Sequence, residues 1–413
     1  MLHQPCTGVP SRVQRASLPE RSAIAGSSAR QADRDLLAIA PRGYLDTTHF
    51  DTERFPPPPW ALEAFCRAAS DGSLAYTSYR GHAEVLDAVA GTLSGFLGVP
   101  IDPERNVILV AGTQGGLFAT LAALVEAGER VAVVDPDYLF SERILRFFDA
   151  QVAHIPLRQN IGDGPAPDLD VLEQEFARNG VRLLLFSHPN NPTGAVYSAQ
   201  TIATIAQLAQ RYDARVVVDE LYSRLIRDGR TFPHLVAQPG MAERTVTLLG
   251  PSKTESLSGY RLGVAVAPPE VIERIEDVLS LSCLRAPAYA QHVLRSWIRD
   301  DQGWLATRLQ DFTALRAMTA EHFRQLHWLT WEPQAGTAYA WPDVSALRLP
   351  DPVVSHALLR DASVLVSPGY QFGPRGAGHF RVCYARDEKV WAEALKRMVC
   401  VLERLASEQG LPR

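Results

Sequence analysis

The chain has few cysteines, and none of the spacings that would give them a shared task. Its five (Cys6, Cys66, Cys283, Cys383 and Cys400) form no CxxC pair and no close Cys/His cluster. A zinc site and a disulfide framework are both disfavoured, and no metal is expected. Free thiols in a chain of this size suit a reducing cytoplasm. An excess of positive charge is also missing. Lys and Arg total 41 against 46 Asp and Glu, a net charge of −5, so no basic field invites nucleic acid or an anionic membrane. Only the start is locally basic, with Arg12, Arg15, Arg21 and Arg30 against Glu20. No N-terminal apolar segment of signal type occurs, and no run approaches the roughly 20 apolar residues of a membrane span. Two nucleotide signatures are missing as well. "GPSKT" (250–254) has Ser252 where a phosphate-binding loop needs Gly before its Lys, and "GTQGG" (112–116) does not fit GxGxxG.

What is present is an ordinary globular composition, 46% apolar and 21% charged over 413 residues, long enough for two domains. Residues 1 to about 35 mix Ser, Arg, Pro and Gln without periodicity and read as a mobile arm. A proline run at 56–59 stops an extended segment before a helix-like stretch near Trp60. From 106 onward short β-branched runs alternate with helical patterns: "NVILV", "RVAVVDP", "RLLLFSHP", "ARVVVDE", "TVTLLG" and "GVAVAPP". Apolar runs separated by helices predict βαβ units and a parallel sheet buried on both faces. Ligands of such sheets sit beyond the carboxyl ends of the strands. The polar stretches "GTQGG", "DPDY", "HPNNPTG", "DELY" and "GPSKT" all fall there. A long helical stretch over about 287–327 then leads into a smaller α+β segment.

These motifs carry a resemblance. "HPNNPTG" and "SKTESLSGYRLG" (252–263), in this order, make the chain similar to the class I/II aminotransferases, which are fold-type-I enzymes dependent on pyridoxal 5′-phosphate. The likeness runs from about Tyr76 to Arg381. It implies an α/β fold with a three-layer α/β/α large domain and a mostly parallel sheet, plus a smaller α+β domain. The expected division is an arm through residue 45, a large domain over 46–300 and a C-terminal domain over 301–413. By the same resemblance Lys253 is the Schiff-base lysine and moves the substrate's α-proton, and Arg261 pairs with the cofactor phosphate. Asp219 faces the protonated ring nitrogen, while Tyr222 and Asn191 contact the phenolic oxygen. Gly112, Thr113, Gln114 and Ser252 belong to the phosphate end, and Tyr138 stacks on the ring. Arg381 holds the substrate α-carboxylate. Tyr76 reaches the neighbouring subunit's cofactor, which implies a homodimer with shared active sites. The Asn191–Pro192 bond is expected to be cis.

Several positions depart from the family pattern. Gly250 stands where many relatives carry a phosphate-binding Ser or Thr, which leaves Ser252 or Thr113 to supply the hydroxyl. His188 replaces an Asn and is expected to pack at the strand end. The segment 44–55 lacks a common Gly and offers His49, a candidate for a substrate contact. Glu255 and Arg285 are expected in structural ion pairs. The implied reaction is ping-pong transfer of the amino group of an L-amino acid to a 2-oxo acid. Elimination, oxidation or cyclisation on the same cofactor is the alternative outcome. A catalytically silent regulator is disfavoured because the arm is too short for a DNA-binding module.

Overall fold

The computed structural model describes residues 11–16, 38–71, 76–160, 164–299 and 303–411. Strand β1 (Leu45–Asp46) lies apart from the main sheet. That sheet has eight strands: β2 (Val107–Val110), β3 (Arg130–Asp135), β4 (Gln151–Asn160), β5 (Gly164–Pro167), β6 (Leu183–Ser187), β7 (Arg215–Asp219), β8 (Thr245–Leu249) and β9 (Gly263–Val266), in the order β2-β9-β8-β7-β6-β3-β4-β5. Pairing is parallel from β8 through β7, β6 and β3 to β4. On β6, Leu183 and Leu185 pack on one face of the sheet with the helices Thr113–Leu124 and Pro269–Ser280, while Leu184 and Phe186 pack on the other with Leu169–Arg178 and Ala199–Arg211. Alternate residues thus enter different cores, and both faces are buried, which gives three layers.

Strand β9 corrects one expectation. The run "GVAVAPP" reads as the last of a parallel series, yet β9 is antiparallel to both β8 and β2. The intervening loop 250–262 contains only a 3-10 turn at Ser258–Tyr260. Without a crossover helix the chain returns beside the strand it left.

The C-terminal part builds a smaller sheet from β10 (Tyr339–Ala340), β12 (Ser367–Pro368) and β13 (Phe380–Cys383), antiparallel in the order β10-β13-β12. Strand β11 (Val364–Leu365) pairs in parallel with β1. The helices Trp304–Phe323, Asp351–Ala362 and Glu388–Glu408 cover these strands around Trp391, Phe312 and Leu358. Phe50 and Phe55 join this core, so the segment following β1 is anchored in the C-terminal unit while it runs past the carboxyl ends of the main sheet. The stretch expected as one long helix is broken instead. It begins as Ala288–Gln291 and a 3-10 turn to Arg295, and Ile298 and Gly303 both take positive φ before Trp304 starts the next helix. Of the N-terminal arm, Ser11–Arg15 forms a short helix whose Arg15 donates to the Arg146 carbonyl and pairs with Asp149. The remainder up to residue 37 lies outside the described residues. Among the described residues no helix is long and apolar enough to cross a membrane.

Candidate active site

The carboxyl ends of β2, β3, β6, β7 and β8 converge on a cavity of about 190 Å³ whose walls include Thr113, Tyr138, Asn191, Asp219, Lys253 and Arg381. Each of these side chains follows directly from a strand exit, apart from Arg381 on β13. Lys253 reaches it from the loop after β8, with its Nζ 5.7 Å from the centre of the Phe50 ring.

Asp219 closes β7. It is buried, and the one hydrogen bond to its carboxylate among the described residues comes from the Leu221 N–H, 3.1 Å away. Burial pushes its carboxyl up to about 6; the Leu221 N–H and the Lys253 charge pull the other way. Among the described residues no guanidinium or ammonium is bonded to it. Tyr222, one turn beyond, shares a 3.0 Å hydrogen bond between hydroxyls with Tyr339 and packs near Phe50. Burial, then the neighbouring Tyr339, raises its hydroxyl well above the usual phenol range.

The other end of the cavity is built for an anion. Gly112 takes φ 79° and precedes the helix Thr113–Leu124, so free N–H groups and the positive end of the helix dipole face the cavity. Thr113 Oγ1 is buried with no partner. A Cβ on Gly112 would run into the Arg261 guanidinium, so only glycine lets that cation lie over the helix start. Arg261 Nη1 donates to the Ser258 carbonyl at 2.9 Å. The Tyr138 hydroxyl donates to Gln114 Oε1 at 2.8 Å, which fixes the ring over the cavity.

Arg381 lies at the far wall. Its Nη1 donates to Asn191 Oδ1 at 2.8 Å, and its Nη2 donates to the Thr48 carbonyl at 2.8 Å and to Ser367 Oγ at 3.3 Å. Its guanidinium carbon sits 4.1 Å from the centre of the Tyr339 ring and 4.8 Å from that of Phe372. Its Nε is buried and has no partner. Asn191 is held in turn by its own N–H, which donates to Ser187 Oγ at 2.9 Å.

The structure thus brings together Thr113, Gln114, Tyr138, Asn191, Asp219, Tyr222, Lys253 and Arg381, with Gly112 and Arg261 at the anion end. Other candidates lie elsewhere. His49 is 62% exposed and turns to Asp46, 3.5 Å away; its neighbour Thr48 lines the cavity instead. Ser252 is buried beside Lys253 without forming part of the wall. Tyr76 is 77% exposed and outside this cavity. The cis bonds are Asp135–Pro136 and His188–Pro189, not Asn191–Pro192; Asn191 takes its place through Ser187. His188 is fully buried between the Tyr197 and Phe232 rings and accepts from the Tyr197 N–H at 3.0 Å. Burial pulls its imidazole down to about 3, so it is neutral and packs. Glu255 pairs with Arg224 and accepts from Trp297 Nε1 at 3.2 Å. Arg285 lies over Tyr76 and Tyr79 and pairs with no acid among the described residues.

Sequence reading missed Thr48, Tyr339 and Ser187. Tyr339 stands in "GTAYAWP", a segment whose motif-free character hides that β10 brings it to Tyr222.

The family model for aminotransferase class I and II matches residues 46–398. An aspartate aminotransferase of Pyrococcus horikoshii is 29% identical over 344 residues, which cover 83% of this chain and 86% of that one. An aspartate/prephenate aminotransferase of Thermus thermophilus is 29% identical over 404 residues, 96% of this chain and 99% of that one. The crystal structure of an aspartate aminotransferase from Rhodobacter sphaeroides matches with a TM-score of 0.85 at 36% identity, covering 91% of this chain and 99% of that one.

Proposed function

Because the chain belongs to the class I and II aminotransferase family, we propose that its cavity holds pyridoxal 5′-phosphate with Lys253 as the attached residue. The enzyme moves the amino group of an amino acid to a 2-oxo acid in two half-reactions. The observation that carries the cofactor assignment is Asp219: a buried carboxylate with no bonded cation among the described residues faces the same cavity as Lys253. A buried acid without a cation is costly, and a protonated ring nitrogen would supply one. The unpartnered Thr113 hydroxyl, the N–H groups at the helix start and Arg261 fit a phosphate.

When bound, the cofactor supplies an aldehyde that takes up the amino group and a ring that draws electrons from the substrate α-carbon. The rest falls to the side chains. Lys253 Nζ is the one amine on the cavity wall among the described residues, and it would take the α-proton and return it. Asp219 would hold a proton on the ring nitrogen opposite it. Tyr222 Oη and Asn191 Nδ2 would orient the ring edge. Arg381 would bind the substrate carboxylate with its free Nε–H, its Nη groups being fixed by Asn191, Thr48 and Ser367. Tyr339 and Phe372 keep water from its faces.

A homodimer is part of this reading. Among the large side chains left exposed are Tyr76, Tyr79 and Tyr289, the first two joined by Arg285 of the segment that leads to Tyr289. Phe65 joins that surface to the anion end, since its ring contacts both Tyr289 and Tyr260, the neighbour of Arg261. A second copy on this face would bring its Tyr76 toward Arg261. The unpaired thiols of Cys66, Cys283, Cys383 and Cys400 support a reducing, cytoplasmic setting.

The test is a panel of amino acids against 2-oxo acids with cofactor-loaded protein. Amino-group exchange without ammonia or peroxide supports the reading. Release of either, or no spectral response to any amino acid, overturns it.

A further inference from the structure

Segments 76–82 and 285–291 lie side by side, and one buried side chain ties them. Gln291 is fully buried. Its Oε1 accepts from the His82 N–H at 2.8 Å. Its Nε2 donates to the Ala286 carbonyl at 2.8 Å and to Thr77 Oγ1 at 3.3 Å. The amide orientation is dictated by this set, because the reverse would turn an oxygen to the Ala286 carbonyl and an NH₂ to the His82 N–H.

Two of these bonds end on the chain neighbours of Tyr76 and Arg285. The Arg285 guanidinium lies 4.8 Å over the Tyr76 ring and 4.9 Å over that of Tyr79. Tyr76 is 77% exposed, so its own burial does not fix it. The position it presents is set by the tie beneath it. A buried amide is no better than an apolar side chain at filling volume, and it costs stability unless all its bonds are made. What it adds is a fixed relation between two segments.

We propose that Gln291 is a positioning residue for the active site of a second copy of this chain. By tying the Thr77 hydroxyl to the Ala286 backbone, it sets the stacked Tyr76–Arg285 pair so that the Tyr76 hydroxyl meets the anion end of the partner's cavity. This rests on the reading that Tyr76 crosses to a second copy, and the experiment separates the two ideas.

Hybrid dimers with one working site are made by pairing two differently tagged chains, one of which carries Lys253→Ala. In the trans hybrid, Gln291→Met is placed on the Lys253→Ala chain, so the working site receives Tyr76 from the altered chain. In the cis hybrid it is placed on the chain that keeps Lys253. Cofactor-free hybrids are titrated with pyridoxal phosphate and followed by visible absorbance. The trans hybrid is expected to bind about tenfold more weakly than the hybrid without Gln291→Met, and the cis hybrid within about twofold of it. Equal losses in both hybrids, or none in either, overturn the role of Gln291. Thr77→Val, which removes one half-buried hydroxyl and with it the Gln291 contact and the bond to the Ser78 carbonyl, repeats the trans pattern more weakly and stands in if Gln291→Met does not fold. Tyr76→Phe is the control for the underlying reading. A monomeric protein, or no trans effect of Tyr76→Phe, overturns the shared site itself. A trans effect of Tyr76→Phe with none from Gln291→Met and Thr77→Val overturns only the tie.

Discussion

Gly250 lies against Thr113: a Cβ at position 250 would stand 2.9 Å from Thr113 Oγ1 and 3.1 Å from the Leu262 carbonyl oxygen. A side chain at 250 and the hydroxyl at 113 compete for one space. The departure from the family pattern at 250 is therefore matched by a hydroxyl on the opposite wall, buried and unpartnered.

Gly250→Ser alone is expected to weaken pyridoxal phosphate binding, by about tenfold, because the new side chain displaces the Thr113 hydroxyl. Thr113→Ala alone should weaken it by a similar factor through the lost hydroxyl. The double variant Thr113→Ala/Gly250→Ser should recover most of the affinity, since one hydroxyl replaces the other. Cofactor titrations of the four proteins give the coupling; additive losses would mean that the two positions do not share a ligand.

Asp219 gives a pH signature in the cofactor-free protein. Its folded-state pKa is raised by burial from 3.8 to about 6. Between roughly pH 4 and 6 the folded protein keeps a proton that the unfolded chain has released, so stability falls as pH rises through that window and the loss is complete above it. Asp219→Asn removes the loss. The variant should be more stable than its parent by on the order of 2 kcal/mol at pH 8 and equal to it at pH 4. Asp137, pushed up to about 7 by its own burial, titrates nearby but is common to both proteins. With cofactor bound the difference should reverse, because a ring cation then faces Asp219 and the Asn variant lacks its partner charge. Denaturant midpoints at the two pH values check this. A constant difference at both would remove the buried charge as its cause.

Much of this architecture was legible in the sequence, for a physical reason. Strands β2, β3 and β6 to β9 are short apolar runs because both faces of the sheet are covered, and the catalytic candidates sit where those runs end. Strands β4 and β5 were not legible. "QVAHIPLRQN" mixes polar residues with Pro156, "GPAP" is half proline, and their pairing is imposed by neighbours (β3 for β4, and β4 for β5). The same limit hid Tyr339, which meets Tyr222 across 117 positions of chain. His49 was misplaced because its ring and the Thr48 hydroxyl both turn to Asp46, and it is the Thr48 backbone carbonyl that meets Arg381. A motif fixes residues near one another in sequence; it says nothing about how a distant segment turns its side chains and carbonyls when it meets them.

Lys253 is one of three lysines in the chain; the others, Lys389 and Lys396, lie on the helix Glu388–Glu408. Borohydride reduction of the cofactor-loaded protein should place a single pyridoxyl group on the peptide containing Lys253, read by mass spectrometry after digestion. In Lys253→Ala no peptide should carry the label. Labelling of Lys389 or Lys396 in the parent would remove Lys253 from its assigned role. Arginine cannot form this linkage at neutral pH, so the chain offers few competing amines.

On the proposed reading, Arg381 would bind a carboxylate through geometry as much as charge. Two of its nitrogens are committed to Asn191, Thr48 and Ser367, its faces are covered by Tyr339 and Phe372, and only Nε is left without a partner. Lysine keeps the charge but cannot hold those bonds and the flat stacking together. Arg381→Lys is therefore expected to raise KM by about ten- to a hundredfold, while cofactor absorbance is retained. The factor should be nearly the same for the amino acid and for the 2-oxo acid, because both present the same carboxylate to this wall. A residue that read the substrate side chain would shift KM for substrates that differ there and leave others unchanged. Steady-state kinetics with two unlike amino acids and one 2-oxo acid separate the cases. Unequal factors would move Arg381 from the carboxylate to the side chain, and an unchanged KM would remove it from substrate binding altogether.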